Sequence, residues 1–284
     1  MRNIREILIR DTARLEKTLA LEAASARIEV QSLLQHVLQQ NRAWLLAHAE
    51  SVPDETRQAD YRQLLQRRLQ GEPVAYILGE REFFGLNFKV TSATLIPRPE
   101  TELLVELALQ HIVPDRICNV LDLGTGSGAI ALAIAHARPD ARVTAVDASQ
   151  AALAVAQENA QRLGIRNVHF LHSNWFSALQ EQSFDLIVSN PPYVVADDPH
   201  LCQGDLPFEP LSALASGADG LDDIRCIINE APTHLQPGGC LLLEHGYDQA
   251  ARVHRLLQQN GFGEVFTACD LAGIERVGGG CVAA

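Results

Sequence analysis

Residues 119–128 read NVLDLGTGSG, a short apolar run that opens into three closely spaced glycines. Residues 129–135, AIALAIA, follow at once and favour a helix. A strand, a glycine turn and a helix N-terminus in this order let the backbone approach a ligand closely and offer it free N–H groups. The stretch therefore predicts an α/β fold in which a nucleotide-type binding loop directly follows one strand.

A second strand, residues 142–146, ends at Asp147, which lies 19 residues after Gly128. An acidic side chain at that separation commonly binds ribose hydroxyls at the neighbouring strand end, so we expect a ribose-bearing cofactor. Gly124 and Gly126 with Ala129 also satisfy the loose dinucleotide pattern. The glycine loop alone therefore leaves the cofactor open.

Three features favour S-adenosylmethionine over a dinucleotide: Asp122 directly before the loop, the alternation of its glycines, and Asn190-Pro191-Pro192-Tyr193 at the end of a later strand. Together these features resemble class I methyltransferases. Both carboxylates also have structural interpretations. Asp122 could cap the turn, and Asp147 could be an N-terminal charge for the helix that begins after Ser149.

The apolar run FDLIVS, residues 184–189, predicts a buried strand that closes in Asn190-Pro191-Pro192-Tyr193. Two prolines fix φ and lack N–H groups, so the chain is stiff and its carbonyls are free to accept hydrogen bonds. The Asn190 oxygen and a proline carbonyl can accept both hydrogens of a planar NH2 group beside the flat Tyr193 ring. The tetrapeptide predicts an amide or exocyclic amine as methyl acceptor; an ordinary Asn-Pro turn is the alternative.

Further predicted strands cover residues 168–171, 240–244, 265–268 and 276–281, with helical segments between most of them. The alternation predicts a mostly parallel, doubly wound sheet with helices on both faces, a closing strand pair, and ligands at the carboxyl strand ends. Apolar residues of the N-terminal part recur instead at helical spacing. We predict a small all-α domain over 1–78, a hairpin linker over 79–94 and a catalytic domain over 95–284.

Hydrophobic residues make up 47% of the chain and charged residues 20%. There is no apolar run long enough for a bilayer and no signal-peptide pattern, so we expect a soluble cytoplasmic protein without a membrane partner. Six scattered cysteines without a Cys-x-x-Cys pair predict buried, reduced thiols and no metal site.

The net charge of −12 is unevenly distributed. Residues 1–90 contain 13 basic and 12 acidic side chains, whereas residues 91–284 contain 10 and 23. An acidic catalytic half argues against a long polynucleotide substrate, because nucleic-acid enzymes need basic surface to neutralise phosphates. Acidity can also serve solubility alone.

The chain resembles the bacterial peptide chain release factor N5-glutamine methyltransferases (PrmC, also called HemK) in four motifs. They are IPRPETE at 96–102, DLGTGSG at 122–128, Asn190–Tyr193, and Glu209-Pro210 with GADGL at 217–221. The resemblance extends over essentially the whole chain. It implies methylation of the glutamine in the Gly-Gly-Gln motif of class 1 release factors. S-adenosyl-L-methionine would be the donor, S-adenosyl-L-homocysteine the product, and the helical domain would help to dock the factor.

The resemblance also implies residue roles. Asn190, Pro191, Pro192 and Tyr193 would bind the glutamine, and the cofactor would contact Gly124, Thr125, Gly126, Ser127, Gly128, Asp147, Trp175 and Asn190. Trp175 could flank an adenine ring or pack in the core. Asn174 departs from the family, which often has Asp there; its amide can accept one hydrogen bond from adenine, but the charge is missing.

We expect no strong general base. Asn190 and the Pro191 carbonyl would hold the amide in line for direct displacement, and Tyr193 with Phe84 would exclude water. A nucleic-acid amino methyltransferase acting on adenine N6 or guanine N2 is the main alternative, although it would need a basic duplex-binding region. A non-catalytic, S-adenosylmethionine-binding adaptor is a third interpretation, which the intact Asn190–Tyr193 motif argues against.

Overall fold

The computed structural model describes residues 2–114 and 116–284, which group into two compact units. The first unit runs to Glu80 and also includes Cys202–Phe208, a short segment far away in sequence. The second comprises Arg81–Leu201 and Glu209–Ala284. Among the described residues, no helix combines the length and apolar character needed to cross a membrane.

The first unit is a bundle of short helices around its own apolar core. Side chains of Asn3, Asn41 and Asp54 cap three of the helices by accepting a hydrogen bond from the first-turn backbone. Core side chains recur three and four residues apart, as in Val30, Leu33 and Leu34. The helices are α1 Ile4–Leu19, α2 Ala23–Leu38, α3 Arg42–Ala47, α4 Glu55–Leu69 and α5 Val74–Leu78.

A two-stranded hairpin follows, formed by β1 Glu80–Phe83 and β2 Leu86–Lys89. Its two-residue turn consists of Phe84 and Gly85, whose φ values are 51° and 75°. Positive φ at both turn positions matches the right-handed twist of the strands, and glycine reaches it without steric cost.

The second unit is built on a seven-stranded sheet with the order β5-β4-β3-β6-β7-β9-β8. Neighbours from β5 to β7 are parallel, and β9 runs antiparallel between β7 and β8. The predicted mostly parallel sheet with a closing strand pair is confirmed. The strands are β3 Asn119–Leu123, β4 Arg142–Asp147, β5 Val168–His172, β6 Phe184–Ser189, β7 Leu235–Glu244, β8 Gly263–Cys269 and β9 Glu275–Cys281.

Helices cover both faces of this sheet. Strand β3 shows the reason, because Val120 packs into one apolar cluster while Leu121 and Leu123 pack into another. Side chains that alternate across a strand must be apolar on both faces when both are covered. The helices are α6 Glu102–His111, α7 Ala129–Ala137, α8 Gln150–Leu163, α9 Asp222–Glu230 and α10 Ala250–Gln259.

The prediction of six buried, reduced cysteines is wrong. Cys240 and Cys281 form a disulfide between β7 and β9, and Cys202 and Cys269 are exposed. The two bonded residues are direct register partners in the antiparallel ladder. Strand pairing between distant segments brings them together, and cysteine spacing along the chain cannot reveal it.

Candidate active site

Strand register places four functional positions along the carboxyl edge of the sheet. The register aligns four residues side by side across the sheet, namely Val146 in β4, Leu123 in β3, Ser189 in β6 and Leu243 in β7. The next residues in the same order are Asp147, Gly124, Asn190 and Glu244. The order of the strands reverses between β3 and β6, and ligands of open α/β sheets bind in the crevice at such a reversal.

A cavity of about 630 Å³ opens at this edge, within the usual size range of small-molecule sites. The predicted site residues that line it are Gly124, Thr125, Gly126, Ser127, Asp147, Trp175, Asn190 and Pro192. Gly128, Pro191 and Tyr193 are not part of its wall, and Phe83 rather than Phe84 faces it. The structure therefore brings most of the predicted site together around one cavity.

The glycine loop reaches the cavity through a backbone that only glycine adopts readily. Gly124 has a φ of 72°, and a Cβ atom there would lie 3.3 Å from Trp175 Cζ3. The N–H groups of Gly124 and Thr125 both donate to the Val146 carbonyl at 2.9 Å. The loop is thus fixed to the end of β4 and leaves space for a ligand beside the tryptophan.

The side chain of Asp122 stabilises this loop through hydrogen bonds. Its Oδ2 accepts hydrogen bonds from Thr125 Oγ1 at 2.6 Å and from the Ala131 N–H at 3.2 Å, which joins the loop to the start of α7. Its Oδ1 is buried and has no hydrogen-bond partner among the residues that the structure describes. Complete burial raises the pKa of Asp122 to about 7, because an ionised carboxylate loses its hydration there. The capping interpretation of this residue is confirmed.

Asp147 ends β4 and contacts the backbone on both sides. Its Oδ2 accepts from the Gly126 N–H and its Oδ1 from the Ser149 N–H, each at 2.8 Å. Burial raises its pKa, while these two hydrogen bonds act in the opposite direction. Each carboxylate oxygen has a second lone pair that can accept a ligand hydroxyl. The residue can thus support the loop and bind a ribose together.

Trp175 has a role in both the core and the cavity wall. It packs against the apolar cluster on one face of the sheet, and its indole N–H donates to Asp223 Oδ1 at 3.2 Å. The hydrogen bond fixes the plane of the ring. Its neighbour Asn174 is exposed and also lines the cavity, while its backbone N–H is bound by Ser177 Oγ. The Asn174 side chain is therefore available to a ligand.

A chain of hydrogen bonds leads from the Asn190 side chain to a buried carboxylate. Asn190 Nδ2 donates to Thr101 Oγ1 at 3.1 Å, and Thr101 Oγ1 donates to Glu244 Oε2 at 2.6 Å. The Tyr193 hydroxyl donates to the other carboxylate oxygen at 3.2 Å. We call Asn190, Thr101 and Glu244 the amide relay. Thr101 is only 4% exposed and Glu244 only 1%, so water does not compete for these bonds.

Burial dominates the electrostatics of this cluster. It raises the pKa of Glu244 to about 7, although the Thr101 and Tyr193 hydroxyls and the charge of Arg276 act to lower it. Burial, together with the Glu244 carboxylate, also raises the pKa of the Tyr193 phenol, which therefore stays protonated and remains a donor.

The chain after Pro192 is held in place by a second set of contacts. Gln249 Nε2 donates to the carbonyls of Tyr193 at 2.9 Å and Gly220 at 3.2 Å. A Cβ atom on Gly220 would lie 2.3 Å from the Tyr193 oxygen, so only glycine fits there. Arg98 pairs with the buried carboxylate of Glu209, which also accepts from the Ile96 N–H at 3.0 Å. These contacts fix two loops beside the cavity.

Sequence reasoning missed Thr101, Glu244 and Gln249. A signal for Glu244 was present, because it ends an apolar strand in the same way that Asp147 does. Thr101 lies within the IPRPETE motif at 96–102, but neither that motif nor the sequence around Gln249 indicates a role, since the two residues act through partners 89 and 56 residues away.

Comparison with known proteins gives a consistent family assignment. The family model for the methyltransferase small domain matches residues 100–202, and that for the PrmC N-terminal domain matches residues 12–79. A solved methyltransferase structure from Pyrococcus furiosus has a TM-score of 0.54 and 21% identity over 78% of this chain and 98% of its own. That likeness concerns the fold.

Curated relatives are much more similar in sequence. The release factor glutamine methyltransferase of Bordetella pertussis is 52% identical, with 93% of this chain and 98% of the relative aligned. The proteins of the same name from Salmonella typhimurium and Escherichia coli are 50% and 48% identical, over 90% and 89% of this chain and 92% and 91% of their own lengths. This chain belongs to the release factor glutamine methyltransferase family.

Proposed function

We propose that this protein transfers a methyl group from S-adenosylmethionine to the side-chain amide nitrogen of the glutamine in the Gly-Gly-Gln motif of class 1 release factors. The observation that carries the proposal is the position of Asn190 at the cavity, with its Nδ2 bound to Thr101. No described residue donates to its Oδ1. That oxygen is therefore available to accept an N–H of an incoming amide.

The residues around the cavity suit S-adenosylmethionine. The glycine loop from Gly124 to Gly128 supplies a close backbone approach, Asp147 supplies acceptors for ribose hydroxyls, and Trp175 supplies a flat wall. Asn174 can accept a hydrogen bond from the adenine amino group, and Asn190 lies between the cofactor and acceptor sides. When bound, the cofactor supplies an electrophilic methyl group on a sulfonium sulfur.

The protein's task is to orient a weak nucleophile. The lone pair of an amide nitrogen is delocalised into its carbonyl, so the nitrogen must be held in line with the methyl group. We assign Asn190 Oδ1 and the Pro191 carbonyl as the acceptors for the two NH2 hydrogens. As positive charge grows on nitrogen, these oxygens stabilise it without having to reorganise. Pro192 and Tyr193 keep this corner rigid. The methylated nitrogen is strongly acidic and loses one of its hydrogens to water, so no strong general base is required.

We assign docking of the release factor to the helical unit, which exposes Ile9, Ile28, Leu46 and Val52. Four large aliphatic side chains exposed on so small a unit offer apolar area to a protein partner. The reaction would take place in the cytoplasm and act on translation termination, because release factors work on the ribosome.

Mass spectrometry of the Gly-Gly-Gln peptide tests the proposal. Incubation of a class 1 release factor with this protein and S-adenosylmethionine should add one methyl group to that glutamine, with duplex DNA as a parallel acceptor that stays unlabelled. Asn190→Ala should lower turnover by about 10² to 10³, the usual cost of losing one preorganised contact. Calorimetry should show that the variant still binds the cofactor. Label in DNA instead, or a variant that keeps more than about a tenth of the activity, would contradict the assignment.

A further inference from the structure

We infer that Thr101 and Glu244 are positioning residues that decide which way round the Asn190 side-chain amide faces the cavity, and that they do so only while Glu244 is ionised. The inference rests on the proposed function, because it concerns the acceptor side of the same site. It adds two residues to the reaction that do not touch the methyl acceptor.

The direction of each hydrogen bond follows from the chemistry of the groups. An ionised carboxylate can only accept, and a hydroxyl has a single hydrogen to donate. Thr101 gives that hydrogen to Glu244 at 2.6 Å. Its oxygen can then only accept from Asn190, at 3.1 Å, which requires the NH2 end of the Asn190 amide. The oxygen end must therefore be the one left for the substrate.

Nothing in the shape of an asparagine side chain makes this choice, since its oxygen and nitrogen ends are nearly the same size. Asn190 Oδ1 facing the cavity can accept a hydrogen from the glutamine NH2. The reversed side chain would present its own NH2 to that NH2, and two donors cannot bind each other. The reversed orientation is thus unproductive.

Protonation of Glu244 removes the constraint. A neutral carboxylic acid can donate its proton to Thr101 Oγ1, and the threonine hydrogen can then point to Asn190. This arrangement favours the oxygen end of the amide at Thr101 and therefore the unproductive orientation. The hydrogen bonds of the amide relay can therefore run in two opposite directions, and the protonation state of Glu244 determines which of them is favoured.

The surroundings of Glu244 place this switch in an accessible pH range. Burial favours the neutral acid, as does the negative charge of Glu100, whereas Arg276 and the hydroxyls of Thr101 and Tyr193 favour the carboxylate. The balance raises the pKa of Glu244 to about 7. The neighbouring His245 is buried and its pKa is lowered, so it carries little positive charge near neutrality. Activity should rise as pH increases through about 7 and Glu244 loses its proton.

The pH dependence of the wild type alone does not identify the group, because Asp122 also has a pKa raised to about 7. The informative variant is Glu244→Gln, which keeps the shape but cannot ionise. Its NH2 can donate to Thr101 at every pH and so imitates the protonated acid. We expect its turnover to be at least about tenfold lower, the effect of roughly one hydrogen bond, and to have lost the rise near neutral pH.

Thr101 offers a matched pair of variants. Thr101→Val keeps the volume and removes both hydrogen bonds, whereas Thr101→Ser keeps the hydroxyl. Turnover of release factor is measured for all variants between pH 5.5 and 9, in steps of about half a unit around the expected value near 7, with cofactor affinity measured by calorimetry. The valine variant should lose about tenfold and the serine variant should retain the wild-type profile. Cofactor affinity should be unchanged in both.

Each result leads to a definite conclusion. A wild type that does not methylate release factor refutes the proposed function itself. An active wild type, with valine and glutamine variants that keep its rate and its pH profile, overturns the relay alone. If Glu244→Gln does not fold, the valine and serine pair decides, because a merely structural role for Thr101 would not change the pH profile.

Discussion

Replacing Asn159 by leucine should destabilise the second compact unit, called the catalytic unit below, and should also weaken cofactor binding. Asn159 lies in α8, is fully buried, and joins β2 to the glycine loop. Its Oδ1 accepts from the Lys89 N–H at 2.7 Å, and its Nδ2 donates to the carbonyls of Lys89 and Ser127, both at 2.9 Å. Leucine has a similar volume and makes none of these bonds.

The magnitude follows from the groups left behind. Three backbone groups lose their partner, the two of Lys89 partly buried and the Ser127 carbonyl buried, and each unsatisfied group costs about 1 kcal/mol, so we expect a loss of about 3 kcal/mol in the free energy of unfolding. Freeing the Ser127 carbonyl also loosens the loop that would hold the cofactor. A loss of about 1 kcal/mol in loop order weakens S-adenosylmethionine binding about fivefold.

Urea unfolding followed by tryptophan fluorescence measures the first effect. The chain has two tryptophans, and a Trp44→Phe background leaves Trp175 as a reporter of the catalytic unit alone. With a denaturant slope of about 3 kcal/mol per molar, the midpoint should fall by about 1 M. Calorimetry measures the second effect on the same proteins.

Asn167→Leu is the matched control. Asn167 is likewise tied to three backbone groups, because the two hydrogens of its Nδ2 are shared among the carbonyls of Ala135, Arg138 and Ala141 at 3.1, 3.3 and 3.1 Å. It lies just before β5, at the amino end of the sheet and away from the glycine loop. This variant should lose stability and keep its cofactor affinity. Equal losses of affinity in both variants, or an unchanged midpoint for Asn159→Leu, would refute the reasoning.

Two further predictions concern a glycine beside Tyr193 and the disulfide. Gly220→Ala should abolish soluble expression or activity, because its Cβ would lie 2.3 Å from the Tyr193 oxygen. Gly273→Ala is the control, because Gly273 has open space around it and the variant should lose only about 1 to 2 kcal/mol of stability for its positive φ. Equal thermal stability of the two variants would contradict this prediction. The Cys240–Cys281 disulfide joins residues that are 41 positions apart in sequence, so reduction should lower the free energy of unfolding by up to about 4 kcal/mol. Thiol titration of the denatured protein should give four free thiols before reduction and six after it; six in both cases would contradict the bond.

Local signals in the sequence were sufficient for most of the fold. The alternation of strands and helices predicted the parallel sheet, and the predicted strand over residues 184–189 agrees with β6 as observed. Both cases depend on hydrophobic periodicity and on glycine and proline chemistry within a few residues. Such short-range properties can be read from the sequence alone.

Contacts between distant segments were beyond such reasoning. The grouping of Cys202–Phe208 with the helical unit has no local signature, although its Asp205 pairs with Arg68 at 3.0 Å. The Cys240–Cys281 bond and the Thr101 hydroxyl in the amide relay depend in the same way on strand order and register. Only the folded chain defines those.

The alignment of Asp147, Gly124, Asn190 and Glu244 on four adjacent strands has a consequence for how the enzyme could change in evolution. Neighbouring strands are about 4.8 Å apart, so Asp147, the proposed ribose ligand, and Asn190, the proposed acceptor ligand, lie two strands apart and are separated by roughly twice that distance. The spacing of hydrogen-bonded strands in the sheet fixes this distance. Mutations in the surrounding loops can therefore alter which partner enters, while the distance from cofactor to acceptor stays the same.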